Sequence, residues 1–215
     1  MGLTADRAQE IVADNDANEA ATLLEMGDLD QLDQATLDAL VRCAIEVRLT
    51  HPYYFRVMDL VSPDVLEEMN TDVGEQSEVD DLKTVLKDDR SAPHRDAIMR
   101  AFIESADADA MSELFPETIG LVCADVQKDM VAVICGSDDG VETIINMLMD
   151  ESVASYRRAV AQAIKDHGEW DNDDLALIIQ EAGHLLDDAT IVLLARAMQD
   201  EETVAPDGDP DSTEA

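Results

Sequence analysis

The chain has 215 residues and a mass of 23.5 kDa, with 50 acidic residues against 14 Lys and Arg, a formal net charge of −36 and a pI near 4.1. A surface of that sign repels phosphate, which argues against sequence-independent duplex binding and against docking on anionic lipid unless a local basic patch breaks the pattern. It does not argue for disorder: Leu, Ile, Val and Phe together make up about a quarter of the chain, enough apolar side chain to build a core.

Apolar residues recur at three- and four-residue spacing almost throughout, and strict alternation is hard to find, so the chain is predicted to be all-α. Abundant alanine and few aromatics (3 Tyr, 3 Phe, 1 Trp) point the same way. In chain order, Thr4 is expected to cap a helix to about Ala13, a second covers about 17–26 and stops at Gly27, and a third covers about 34–49. Pro52 is expected to open a helix to about Val61, and Ser62 with Pro63 a short one to about Met69. Residues 71–78, TDVGEQSE, read as an acidic loop, closing an N-terminal helical region at 1–70. Helices then follow at about 79–88, 92–105, 108–122, 125–135, 139–149, 152–167, 172–182 and 188–199, the tail 200–215 being expected to be disordered and acidic.

A self-comparison aligns Leu32-Asp33-Gln34-Ala35-Thr36-Leu37-Asp38-Ala39-Leu40-Val41-Arg42 with Leu186-Asp187-Asp188-Ala189-Thr190-Ile191-Val192-Leu193-Leu194-Ala195-Arg196. The intervals from Asp88 to Asp125 and from Asp150 to Asp187 are equal, 37 positions each. In Leu148-Met149-Asp150-Glu151-Ser152-Val153-Ala154-Ser155-Tyr156-Arg157-Arg158-Ala159 a turn acid, an arginine and a small-residue run follow one another, and the six-residue steps Glu151 to Arg157 and Asp89 to Arg95 repeat it. This helix–turn–helix unit resembles the HEAT and armadillo class of α-solenoid repeats over roughly 80–199, and more faintly over 17–49. The resemblance implies stacked helix pairs, with the turn acid capping the second helix and the arginine pairing with acids of the turn. An irregular helical bundle is the alternative arrangement.

The charge bias, 32 Asp and 18 Glu against 10 Arg and 4 Lys, resembles that of cytoplasmic proteins from salt-in halophiles such as haloarchaea. Molar salt screens surface repulsion within about 3 Å. An ordinary acidic interaction protein is the plainer explanation, but the acids run through the whole chain rather than a tail. The start of the chain has no basic segment followed by an apolar run, and no uncharged apolar stretch approaches membrane-spanning length, so a cytoplasmic protein without membrane contact is expected.

Chemistry-bearing motifs are scarce. Cys43, Cys123 and Cys135 are widely spaced among apolar neighbours and read as buried free thiols. His51 and His94 are placed at helix starts and His167 and His184 at helix ends, where the dipole favours an imidazolium, and the four lie apart without metal-ligand spacing. Asp207-Gly208-Asp209-Pro210-Asp211 begins like a calcium loop but lacks the later glycine and glutamate, and Asn172 or Asp173 reads as a helix cap. No specific metal and no cofactor is expected. Two features remain. Tyr53, Tyr54 and Phe55 form either a local core or an exposed anchor for a partner. Arg158, Gln162 and Lys165 lie on one helical face as a basic stripe, either paired with nearby acids or free to meet a partner.

The expected function is therefore a non-enzymatic protein-interaction scaffold or adaptor, with Arg158, Gln162, Lys165, Tyr53 and Tyr54 as candidate contacts. An enzyme or small-ligand-binding protein with a pocket assembled between helices is one alternative. A helical-repeat factor associated with nucleic acid is the other, although nucleic acid is not the partner the charge favours.

Overall fold

The computed structural model describes residues 5–46, 52–137, 139–167 and 170–201. Among them the chain forms thirteen α-helices and no strand. They are α1 (Ala5–Asp14), α2 (Ala17–Met26), α3 (Gln34–Ile45), α4 (Tyr54–Val57), α5 (Pro63–Gln76), α6 (Val79–Lys87), α7 (Arg95–Ser105), α8 (Ala108–Thr118), α9 (Ala124–Cys135), α10 (Gly140–Met149), α11 (Arg157–His167), α12 (Asn172–Ala182) and α13 (Asp188–Glu201). The chain divides into two compact units, Met1–Val126 and Gln127–Ala215. No helix of the described residues is long and apolar enough to cross a membrane. Thr4, His51 and residues 202–215 lie outside the described residues.

In the first unit α1, α2 and α3 pack on one another, and beyond them helices pack on their next-but-one neighbours: α3 on α5, α5 on α7, α6 on α8. Short polar caps start these helices. Asp16 accepts from the Glu19 N–H at α2, Asp33 from the Thr36 N–H at α3, and Asp107 from the Ala110 N–H at α8.

The most extensive of these pairings, α5 on α7, overturns one expectation. Residues 71–76 belong to α5, not to a loop, because Val65, Met69, Val73 and Gly74 continue one buried stripe through them. Gly74, inside that expected loop, is a point of close approach between helices. A Cβ there would stand 2.3 Å from the Ile98 carbonyl oxygen and 2.6 Å from the Ala101 Cβ. The expected helix from Pro52 to Val61 is likewise reduced to the single turn α4. Tyr53 and Tyr54 are 1% and 0% exposed there, and the Tyr54 hydroxyl donates to Asn70 Oδ1 at 2.6 Å.

In the second unit α10 packs on α12 and α11 on α13, again next-but-one, with α12 also against α13. Residues 151–156 form a 3-10 turn before α11, so the helix expected from about 152 starts only at Arg157. Asp171, and not Asn172 or Asp173, caps α12 by accepting from the Asp174 N–H.

The spacing of the helices differs from the interval between the acids. The first helices of successive pairs, α6, α8, α10 and α12, begin at Val79, Ala108, Gly140 and Asn172, so each unit is shorter than the 37 positions the acids suggest. The longer interval joins unlike positions, since Asp88 and Asp150 end first helices whereas Asp125 lies in the first turn of α9 and Asp187 precedes α13. Asp88 and Asp150 are the equivalent pair. Each accepts a hydrogen bond from the backbone N–H two residues on, Arg90 and Ser152, and opens a 3-10 turn.

The arginine seven residues beyond each of them also differs from expectation. Arg157 Nε donates to the Leu148 carbonyl at 2.7 Å and Nη2 to the Asp150 carbonyl at 3.4 Å, so it serves the orphan carbonyls at the end of α10 more than the acids of the turn. Arg95 reaches the Asp88 carbonyl at 3.2 Å and adds a long contact of 3.9 Å to Asp89. Arg56 does the same for α2, donating to the carbonyls of Leu24 and Gly27 at 2.6 Å each.

Candidate functional site

With 50 acids available to 14 bases, nearly every base is expected to find a partner. All the bases but Arg48 are described. Arg7 pairs with Glu10 and Glu19, Arg42 with Asp64 and Glu68, Lys83 with Glu113, Lys87 with Glu117, Arg90 with Asp88 and Lys128 with Asp166. Arg56, Arg95 and Arg157 serve helix carbonyls, and Arg100 is engaged as well. Three remain. Among the described residues Arg158, Lys165 and Arg196 make no hydrogen bond or ion pair, and all three stand on the neighbouring helices α11 and α13.

The apolar face of α11 explains part of this placement. Val160, Ala163 and Ile164 are buried, so Arg158 and Gln162 are turned outward and exposed, while Lys165 is half-buried at the edge. On α13, Thr190 and Leu194 are buried, and Ala189, Val192, Leu193 and Arg196 fall on the flank towards α11. Between the helices lies an open groove of about 460 Å³, lined by Arg158, Gln162, Asp188, Ala189, Val192, Leu193 and Arg196. Val192 is 48% exposed and adds an apolar surface to the same lining as the two arginines.

Electrostatics at the groove are set by few groups. Thr190 hydrogen bonds hold the Asp187 carboxyl below its usual range as the cap of α13, and the Arg158 charge adds to that shift. Gln162 Nε2 donates to Asp166 Oδ1 at 2.8 Å, and Asp166 in turn meets Lys128 at 3.8 Å. Gln162 is thus tied on its amide nitrogen while its oxygen remains available as an acceptor. Asp188 is the acid on the groove wall.

The structure brings Arg158 and Gln162 of the expected stripe into one groove and leaves Lys165 outside its lining. Tyr53 and Tyr54 are core residues with no surface to offer, which removes the anchor role proposed for them. Sequence reasoning missed Arg196. Its signal was present, since Ala189, Val192, Leu193 and Arg196 follow the i, i+3, i+4, i+7 pattern of one helix flank, but only the packing of α13 beside α11 makes that flank face Arg158.

A second groove of about 520 Å³ runs beside α5, lined by Ile45, Asp64, Glu67, Glu68, Thr71, Asp72 and Glu75. Arg42 already pairs with Asp64 and Glu68 there. Among the described residues no group of three His, Cys, Asp or Glu side chains is placed to hold a metal ion. The cysteines do not share one environment: Cys43 is buried, Cys135 half-buried and Cys123 exposed, which corrects the expectation of three buried thiols. Burial pushes the Cys135 thiol up to about 12, against a smaller opposing effect of the Trp170 indole that faces it.

No family model, curated protein or solved structure matches the chain.

Proposed function

We propose that this chain is a HEAT-like α-solenoid acting as a non-enzymatic scaffold or adaptor that binds another protein, in a salt-rich cytoplasm. Support for the repeat arrangement comes from the packing of helices on their next-but-one neighbours and from the shared turn of Asp88 with Arg95 and Asp150 with Arg157. The observation that carries the binding role is the gathering of two uncommitted bases, Arg158 of α11 and Arg196 of α13, in the lining of one open groove. Charges held only for folding are paired, as the other described bases are. Arg158 and Arg196 donate no hydrogen bond among the described residues, and Arg158 acts on Asp187 only through its field, so both guanidinium forks are available to a group outside the chain.

The test is affinity capture by the tagged chain from a salt-adapted cytoplasm at about 3 M KCl, where surface charges are screened within a few ångströms, followed by reciprocal capture and co-elution of the purified pair. A stoichiometric protein partner is expected. A chain that instead carries a small molecule in native mass spectrometry and recovers no protein overturns the scaffold role.

A further inference from the structure

The groove between α11 and α13 also indicates what kind of partner it takes, an inference that rests on the binding role and narrows it to one site. Arg158 and Arg196 stand on opposite helices, and exposed Val192 and half-buried Leu193 line the same groove. Each guanidinium offers a planar fork of donors that matches a carboxylate in two parallel hydrogen bonds. Elsewhere in this molecule the same choice is made: Arg42 is met by both Asp64 and Glu68, and Arg7 by both oxygens of Glu19.

We propose that this groove binds an acidic segment of a separate protein, two carboxylates engaging Arg158 and Arg196 while an apolar side chain between them covers Val192 and Leu193. Gln162 Oε1 is placed to accept a backbone N–H from the same segment, since its amide nitrogen is already committed to Asp166. Charge decides between this occupant and a nucleic acid. A polyphosphate backbone needs a basic track many residues long, whereas this site is two arginines with Asp188 on its wall in a chain of net charge −36. A short carboxylate pair meets only the local field. In a salt-adapted cytoplasm crowded with acidic proteins, that local reversal of sign also sets where on the surface the partner can settle.

The probe is a short fluorescein-labelled peptide built on Glu-Leu-Leu-Glu, compared by anisotropy with its Gln-Leu-Leu-Gln counterpart and with an oligothymidylate of similar length. The full chain is expected to bind the acidic peptide at least tenfold more tightly than the neutral one. Arg158→Glu with Arg196→Glu should abolish that preference with unchanged helical circular dichroism. Arg158→Gln with Arg196→Gln, which adds no repulsion, should also lose it if charge reversal disturbs folding. Equal binding of the two peptides, an unaffected double variant, or preference for the oligothymidylate overturns the proposal. Tighter peptide binding by a chain ending at Asp200 overturns it too, by assigning the groove to the chain's own acidic C-terminal segment. If a stoichiometric protein partner is captured equally well by the double variant, the scaffold role stands and this groove is not its seat.

Discussion

Asp33, Asp88, Asp150 and Asp187 each use a carboxylate to satisfy backbone N–H groups at a helix or turn start, which favours the charged form. All four lie below the usual carboxylate range, through Thr36 for Asp33, Arg90 for Asp88, Ser152 for Asp150 and Thr190 for Asp187, with Asp88 down to about 2. A carboxylate whose folded pKa is depressed binds protons more readily when unfolded. Its contribution is therefore present above the unfolded value of about 3.9 and is lost as pH falls towards about 2. At low salt this loss is opposed by relief of self-repulsion as the many other acids protonate, so the experiment belongs at about 3 M KCl, where repulsion is screened within a few ångströms. Melting temperature there should be level from pH 7 to 5 and fall between pH 4 and 2, and Asp33→Asn with Asp187→Asn should flatten that fall. At the same scale, the thiols should separate by environment. Ellman's reagent on the native protein should modify Cys123 rapidly, leaving Cys43 and Cys135 until the chain is unfolded. Three equally fast thiols would contradict the packing around the latter two.

Between elements, the packing of α5 on α7 depends on one missing side chain. Gly74→Ala gains roughly 1 kcal/mol of intrinsic helix propensity, but the new Cβ meets the Ile98 carbonyl, which is backbone and cannot swing aside. Overpacking of that kind costs about 1–3 kcal/mol, so the alanine variant should be no more stable than wild type. Gly74→Val should be less stable by more than about 1 kcal/mol, as read from urea midpoints at high salt. A stabilised alanine variant would mean that the two helices do not approach as described. The arginines of the turns work at this scale as well. Arg95 and Arg157 come from the segment after a helix and return to its last carbonyls, while Arg56 of α4 reaches the end of α2 from beyond α3, each a favourable place for a cation. This explains why an arginine at this position recurs while the acid next to it, Asp89 or Glu151, contributes little: the bond is to backbone, and any side chain at those acid positions leaves it intact.

For the whole molecule the governing quantity is the net charge of −36. Repulsion among so many like charges opposes compaction at low ionic strength, and the paired bases offset only a fraction of it. Helical circular dichroism and melting temperature should both rise from about 0.1 to about 3 M KCl, most steeply below about 1 M where the Debye length falls from about 10 to about 3 Å. A response that is flat over that range would remove the argument for a salt-rich habitat and leave an ordinary acidic interaction protein. The two compact units add a distinction, because denaturant transitions followed by a probe in each need not coincide.

The all-helical class and most helix boundaries were legible in the sequence, because burial at three- and four-residue spacing is a local property that each segment carries by itself. Caps were less so: the cap of α12 fell on Asp171 rather than on Asn172 or Asp173, because neighbouring short polar residues are equally suited until the first turn fixes which N–H each can reach. What depends on a neighbour was not. Gly74 looks the same in sequence whether it breaks a helix or admits another backbone, and the choice was made by α7. Tyr53 and Tyr54 look equally suited to a core and to an anchor, and burial against surrounding helices settled them as core. Recurring Asp and Arg were visible in the sequence, but which acids occupy like turns, Asp88 and Asp150, appeared only when positions could be matched by their hydrogen bonds rather than by residue type. Arg158 could be singled out from its helix alone. Its companion Arg196 lies far along the chain, and only the packing of α13 against α11 brings the two to one groove, since proximity across helices is a property of the tertiary fold and leaves no trace in local sequence.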